Sequence, residues 1–458
     1  MKHFADFRPH DRWPDGLGTL RLSELLGSLS HALDATEGQP AGHAIRVTAI
    51  GDEIGCRLGL PVEERHDLYY TLLLKDLGCS SNAARICELY LADDMEFKQA
   101  FKLIDGTTRS ALHFLLRETA RGNSTIRRAK TLISVIRNAG PIVDELIETR
   151  CQQGSSIACT MGFSDRVARG IHALDEHWDG SGRPEHLSGE EIPLGARIAL
   201  VAQVADVFMQ SGGIDNAIDE ISSRSGTWFD PAVARVAVAV LKDPSLRARL
   251  AAPDLARAVF SNPAVIGAAD LTDDKMDRII AGFSKVIDAK SPFTNNHSQR
   301  VAGYVDRVTA TLGYDGHCRA WMRRSALLHD IGKLGVPNRI LDKPGKLDTG
   351  ERRVIESHTL IGRKILGKIG VFARSAHLAE AHHERLDGMG YPYRLGANDL
   401  TLDVRVLTVT DIYDALSAER PYKPALPRER VHEIMSGMVG TSIDGMCYDA
   451  LTSAIAGD

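Results

Sequence analysis

The sequence predicts an all-α protein built from two tandem copies of one helical domain, and three observations predict it. Apolar residues recur at helical spacing along most of the 458-residue chain, β-branched runs are few and short, and two distant stretches repeat one another in fixed register.

The helical period is clearest in the second half. Val301, Tyr304, Val305, Val308 and Leu312 fall on one helix face, and Val354, Ile355, Ile361 and Ile365 form a second stripe. That second helix has a marked start, because Asp348 followed by Glu351 matches a capping box just after the Pro344-Gly345 turn. The best strand-like run, Val404 to Val409, continues into Asp411-Ile412-Tyr413-Asp414 with helical spacing and does not argue for a sheet.

The repeat is gap-free over its first part. Gly42-His43-Ala44-Ile45-Arg46-Val47 matches Asn296-His297-Ser298-Gln299-Arg300-Val301, and Leu73-Leu74-Lys75-Asp76-Leu77-Gly78 matches Leu327-Leu328-His329-Asp330-Ile331-Gly332, each pair 254 residues apart. The same offset pairs Asp34 with Asp288. Farther on, Trp178-Asp179-Gly180-Ser181-Gly182-Arg183-Pro184 matches Leu386-Asp387-Gly388-Met389-Gly390-Tyr391-Pro392 at an offset of 208, so the first copy carries 46 extra residues, expected within 88–150. The prolines of the stretch from Ala251 to Pro263 mark the junction. The chain is therefore divided into a tail, 1–20, a first domain, 21–250, and a second, 251–458.

Length and composition agree with two cores: a single core stops growing at ~250–300 residues. Hydrophobic residues make up 43% and charged residues 25%, an ordinary globular composition. No apolar run is long enough to span a bilayer, and the amino terminus lacks a secretory signal, so a cytoplasmic protein with no membrane partner is expected. A net charge of −5 gives no basic field for polymeric nucleic acid. The seven cysteines are odd in number and form no C-x-x-C pair, and are expected to be reduced, buried thiols.

The chemistry lies in the histidines. Seven of the 17 fall between residues 297 and 383, and His329-Asp330 and His382-His383 stand beside carboxylates or on apolar faces. Imidazole and carboxylate are ligands for divalent metals, and burying so many of them is costly unless an ion or hydrogen bonds compensate. A lone helical histidine is ordinarily a core or surface residue, so His317, His377 and His432 receive no role. His358 is singled out by its company.

These residues carry a resemblance. His329-Asp330-Ile331-Gly332-Lys333, His358, His382-His383-Glu384-Arg385-Leu386-Asp387-Gly388-Met389-Gly390-Tyr391-Pro392, Asp411 and Arg420-Pro421-Tyr422-Lys423 closely resemble the HD-GYP phosphodiesterases, a branch of the HD metal-phosphohydrolases, over about residues 285–425. The resemblance implies an all-α domain that hydrolyses a bacterial cyclic dinucleotide, cyclic di-GMP or 3′3′-cyclic GMP-AMP, to a linear dinucleotide by a metal-bridged hydroxide. It implies Asp330 as a bridging ligand, His329 and Asp411 on one metal, His358, His382 and His383 on the other, and His297 as a less secure ligand. Lys333, Asp330 and Asp387 form the implied catalytic set, with Asp387 and Asp414 orienting a histidine or Lys333. Lys333, Arg420 and Lys423 would contact substrate phosphate. Some members place a glutamate where this chain has Phe293, so two divalent ions are expected, iron or manganese first and zinc or nickel next. The Gly-Tyr-Pro loop is expected to shape the pocket and to contact signalling partners. The alternatives are a broader phosphate-ester hydrolase and a non-catalytic nucleotide sensor.

In the first copy, Lys75 stands for His329, Leu174-Asp175 for His382-His383 and Gln203 for Asp411. An ammonium group at a ligand position excludes a metal. This copy reads as a degenerate HD-like domain that regulates or dimerises the protein, leaving catalysis to residues 251–458.

Overall fold

Apolar residues at helical spacing form buried helix faces throughout the computed structural model of this protein, which describes residues 13–14, 20–104, 107–262, 271–294, 296–419 and 425–456. Among the described residues no β-strand forms, only three isolated bridges, and the all-α class holds. No helix among them is long and apolar enough to cross a membrane.

The chain divides into an amino unit, residues 21–271 with 337–339, and a carboxy unit, residues 1–20, 272–336 and 340–458. This moves the boundary expected at 251. Helix Leu255–Phe260 belongs to the amino unit because the Phe260 ring covers Gly27, where a Cβ would lie 1.9 Å from it, and the Phe260 carbonyl accepts a 2.7 Å bond from Ser23. Of the tail assigned to 1–20, the described residue Trp13 packs on the carboxy unit. Trp13 is buried against Trp321, ring centres 5.9 Å apart, with the Arg374 guanidinium 4.4 Å from its own ring centre.

In the carboxy unit, Val301, Val305 and Val308 are buried on helix His297–Thr311 as their spacing requires. The start of this helix is held by Asp288, whose carboxylate accepts from the Ser298 amide at 3.2 Å and its hydroxyl at 2.7 Å. The amino unit repeats the device: Asp34 accepts from the amides of Gly42 at 2.7 Å and Ala44 at 2.9 Å, before helix His43–Arg57. The strand-like run lies wholly inside helix Leu402–Ser417, with Val404, Val406, Leu407 and Val409 fully buried.

The stripe from Val354 to Ile365 is two helices, Thr349–Glu356 and His358–Leu366, meeting at Ser357. The capping box is present: Glu351 N donates to Asp348 Oδ1 at 2.9 Å, and Asp348 N donates to Glu351 Oε2 at 2.8 Å. Asp348→Ala is expected to lower the stability of the carboxy unit by about 1 kcal/mol, read as a shift of the urea midpoint at unchanged slope. An unmoved midpoint would show that the cap contributes nothing.

The extra length of the first copy consists of helices Asp94–Phe101, Thr108–Glu118 and Thr125–Arg137. They build a small core of their own, in which Tyr90, Phe97, Phe114, Val135 and Ile142 are buried together. All seven cysteines are free, but the expectation that they are buried holds only in part. Cys56 and Cys159 are exposed, because the helix positions they occupy face outward.

Candidate metal centre

Four helix ends bring the expected ligands together. His329 is the carboxy-terminal cap of helix Gly316–Leu328, His358 opens helix His358–Leu366, His382 caps helix Ala373–Ala381, and His297 opens helix His297–Thr311. Three of these rings are fixed in the same way. His329 Nδ1 meets the Ala326 carbonyl at 2.7 Å, His358 Nδ1 that of Ile355 at 2.7 Å, and His382 Nδ1 that of Ala379 at 2.9 Å. With the proton held on Nδ1, each ring turns an Nε2 lone pair inward.

Asp330 lies at the centre. Its Oδ1 is 3.5 Å from His358 Nε2 and 3.7 Å from His382 Nε2, while Oδ2 is 3.4 Å from His329 Nε2 and 3.5 Å from His297 Nε2. Asp411 Oδ1 lies 3.2 Å from His297 Nε2 and 3.8 Å from His329 Nε2. Three overlapping sets of donor atoms, each within 4.8 Å, could hold ions: His297, His329 and Asp330; His329, His382 and Asp411; His358, His382 and His383.

The donor set fits a metal. His329 Nε2 and Asp330 Oδ1 are buried with no hydrogen-bond partner, an arrangement that native structures retain where an ion or water completes the site. Burial, and after it the neighbouring histidines, hold His383 down to about 3 and His382 well below its ordinary value, and burial holds His358 to about 4 against the Asp330 carboxylate, so all three are neutral and able to ligate near pH 7. Burial would raise Asp330, but Lys333 and the histidines hold it far below the usual carboxylate range. It is an anion throughout the physiological range.

His297 stands with the first set and has its own support. Its Nδ1 meets Asp414 Oδ2 at 2.7 Å, and Asp414 is held in turn by Arg300, Nε to Oδ1 at 2.6 Å. Burial works against its charge, but the Asp330, Asp411 and Asp414 carboxylates raise its pKa well above the ordinary value. Asp414→Asn keeps the volume and removes the acceptor charge. It is expected to weaken metal binding or turnover about 10–100-fold, measured by metal titration and initial rates, and an unchanged affinity and rate would remove Asp414 from this role.

Asp387, expected in the catalytic set, is held by local partners in this structure. Its carboxylate closes the turn before the Gly-Tyr-Pro loop, accepting from the Met389 amide at 3.0 Å and pairing with Arg385 at 2.6 Å, and no bond links it to a histidine or to Lys333. Local turn chemistry claims it, so Asp414 alone of the two expected orienting aspartates reaches the histidines. Lys333 pairs with Asp330 at the edge of the centre. Arg420 and Lys423 lie outside the described residues. Sequence reasoning underrated Tyr391, whose ring packs 4.8 Å from His383, and overlooked Arg300, although the repeat itself aligns Arg300 with Arg46.

The HD domain family model matches residues 130–233 and 282–446, more than half of the chain. A curated relative, 3′3′-cGAMP-specific phosphodiesterase 3 of Vibrio cholerae serotype O1, is 47% identical over 437 residues, covering 95% of each chain. The chain belongs to the HD-GYP branch of the HD domain family. This HD-GYP protein also superposes on the crystal structure of a cyclic GMP-AMP-specific phosphodiesterase of V. cholerae with a TM-score of 0.65 and 43% identity, over 96% of this chain and 99% of the other. A probable cyclic di-GMP phosphodiesterase of the same organism is 31% identical over 39% of this chain and 44% of its own.

The amino unit of this HD-GYP protein keeps the frame and replaces the ligands. His43 Nδ1 meets Asp206 Oδ2 at 2.7 Å, and Arg46 Nε holds Asp206 Oδ1 at 2.7 Å, the counterpart of the His297, Asp414 and Arg300 arrangement. A Cβ on Gly332 would lie 1.8 Å from the His358 carbonyl, and one on Gly78 would lie 1.9 Å from that of Arg150, which identifies Arg150 as the counterpart of His358. Lys75 ion-pairs with Asp76 and reaches His43 Nε2 at 3.1 Å. Glu37, Asp76 and Cys79 cluster tightly enough to suggest an ion, but cations of the chain already serve them. Lys102 Nζ lies 2.6 Å from Glu37 and 3.9 Å from Asp76, and burial keeps the Cys79 thiol protonated. Here the protein's own ammonium groups neutralise the carboxylates.

Proposed function

We propose that this chain is a metal-dependent phosphodiesterase that opens a cyclic dinucleotide, 3′3′-cyclic GMP-AMP before cyclic di-GMP, to the linear dinucleotide, with the carboxy unit as its catalytic part. One observation carries the reading: inward-facing imidazoles and the Asp330 and Asp411 carboxylates converge while His329 Nε2 and Asp330 Oδ1 stay buried without partners. The near full-length relatedness to a protein named for 3′3′-cGAMP supports the order of substrates.

In this reading His297, His329, Asp330 and Asp411 hold one ion, and His358, His382 and His383 with Asp330 hold a second. Phe293, in place of an acidic residue one turn before His297, favours two ions over three. Mixed imidazole and carboxylate donors suit iron or manganese, with zinc or nickel next. When bound, such ions would supply Lewis-acid chemistry to the phosphodiester and to water. The protein supplies the rest. The carbonyls of Ala326, Ile355 and Ala379 keep the protons on Nδ1, Asp414 aims His297, and the Lys333 ammonium lies where charge grows on phosphate oxygens. Tyr391, kept protonated by burial, forms a wall beside His383. Met389, 74% exposed on the same loop, offers signalling partners an apolar contact. The function belongs to the cytoplasm, where such second messengers act.

The test incubates protein loaded with iron or manganese with 3′3′-cyclic GMP-AMP, cyclic di-GMP and mononucleotide esters, and separates products by anion-exchange chromatography. A linear dinucleotide from 3′3′-cyclic GMP-AMP, formed faster than from cyclic di-GMP, is expected. Turnover of the esters alone, or none at all, would overturn the reading.

A further inference from the structure

The amino unit carries a cavity of about 330 Å³ lined in part by residues of its altered centre, and nothing in the catalytic scheme uses it. Its floor includes Arg150, Asp175 and Gln203, which stand where the carboxy unit has His358, His383 and Asp411. Its aromatic lining, the roof, is Tyr90, Phe97, Phe101 and Trp228, of which Phe97 and Phe101 come from the extra helix Asp94–Phe101. Among the described residues the carboxy unit has no counterpart of helix Asp94–Phe101, which bears both Phe97 and Phe101.

Charge and hydrogen bonding describe the occupant. Lys98, Lys102, Arg150 and Arg183 line the cavity against two carboxylates, Glu37 and Asp175. Asp144 shares Arg183 from outside the lining, and the balance stays positive. Arg150 and Lys102 are fixed in place, the first by Asp175 and the second by Glu37, so an incoming anion meets cations already oriented. Gln203 is 6% exposed, and its Oε1 is buried with no donor to satisfy it, so the occupant should donate a hydrogen bond at the floor. A mainly apolar enclosure with a few fixed polar groups is the usual character of a small-molecule site.

We propose that this cavity binds a nucleoside monophosphate, its phosphate on the Arg150 and Lys102 floor, its base under the aromatic roof, and a base or ribose donor on Gln203 Oε1. With cations of the chain in place of ions, the amino unit holds the phosphate ester without hydrolysing it. The extra 46 residues of the first copy complete a receptor from an emptied catalytic frame.

The test is isothermal titration of the full-length protein with 5′-GMP and 5′-AMP, in an Asp330→Asn background that disables the carboxy centre. Saturable binding of at least one nucleotide is expected. Gln203→Met, nearly isosteric, should weaken it about tenfold, the worth of one hydrogen bond to a buried acceptor. Ala111→Phe, which fills the cavity from helix Thr108–Glu118, should abolish it. Both substitutions, placed in the otherwise native protein, should leave cyclic dinucleotide hydrolysis within about twofold and the circular dichroism unchanged, since they lie in the amino unit. Failure of both nucleotides to bind, or binding that survives Ala111→Phe unchanged, would overturn the proposal. If the hydrolytic reading failed while these titrations succeeded, the receptor would stand independently.

Discussion

Asp330→Asn is expected to lower turnover of the cyclic dinucleotide by about three orders of magnitude or more, with loss of bound metal. The size follows from position. The two oxygens of this carboxylate lie within 3.7 Å of Nε2 atoms on four histidines, His297, His329, His358 and His382, so one residue serves both clusters. Asparagine preserves the volume but removes the negative charge and one acceptor, and it leaves the Lys333 ammonium without its partner. Metal content by mass spectrometry and initial rates on the same sample decide the matter. A variant that retains its metal and works within tenfold of the parent would displace Asp330 from the centre.

Gly332→Ala is expected to cost the carboxy unit about 3 kcal/mol or more, at the upper end for overpacking, because the added methyl meets main chain. A Cβ there would lie 1.8 Å from the His358 carbonyl oxygen and 2.7 Å from the Gly362 nitrogen. No rotamer change relieves that contact. The segment after Asp330 or the start of helix His358–Leu366 must move, and these are the two sides of the centre. Activity should therefore fall about 100-fold even in the fraction that folds, as a misplacement near 1 Å would cause. Gly78→Ala, with 1.9 Å to the Arg150 carbonyl, should destabilise the amino unit comparably. Calorimetry reads both, and a melting temperature within about 2 °C of the parent would show that the backbone yields cheaply.

The sequence exposed more of the centre than of its support. Short motifs sufficed for His329-Asp330 and His382-His383 because each pair sits at one helix end, where local spacing and capping dictate geometry. Asp387 shows the limit. In the motif it is indistinguishable from an orienting aspartate, but the Met389 amide and Arg385, both within two residues, capture it. Arg150 was missed for a different reason: the repeat changes offset between Gly78 and Arg150, and although the second offset of 208 pairs Arg150 with His358, no short motif surrounds it, so the close passage of two glycine-bearing segments is what draws attention to the pair.

The sequence by itself determined the helical class, the tandem repeat, the capping box at Asp348 and the loss of ligands in the first copy. Each rests on periodicity, turn chemistry or residue identity over a few positions. The tertiary structure alone decided which carboxylate supports His297, since Asp414 is 117 residues away and reaches it only through packing of helix His297–Thr311 on helix Leu402–Ser417. It also decided that residues 255–260 and Trp13 belong to units other than their place in the chain suggests, and that the extra helices roof a cavity. These outcomes depend on which buried faces find one another across the chain, a long-range competition that local pattern does not encode.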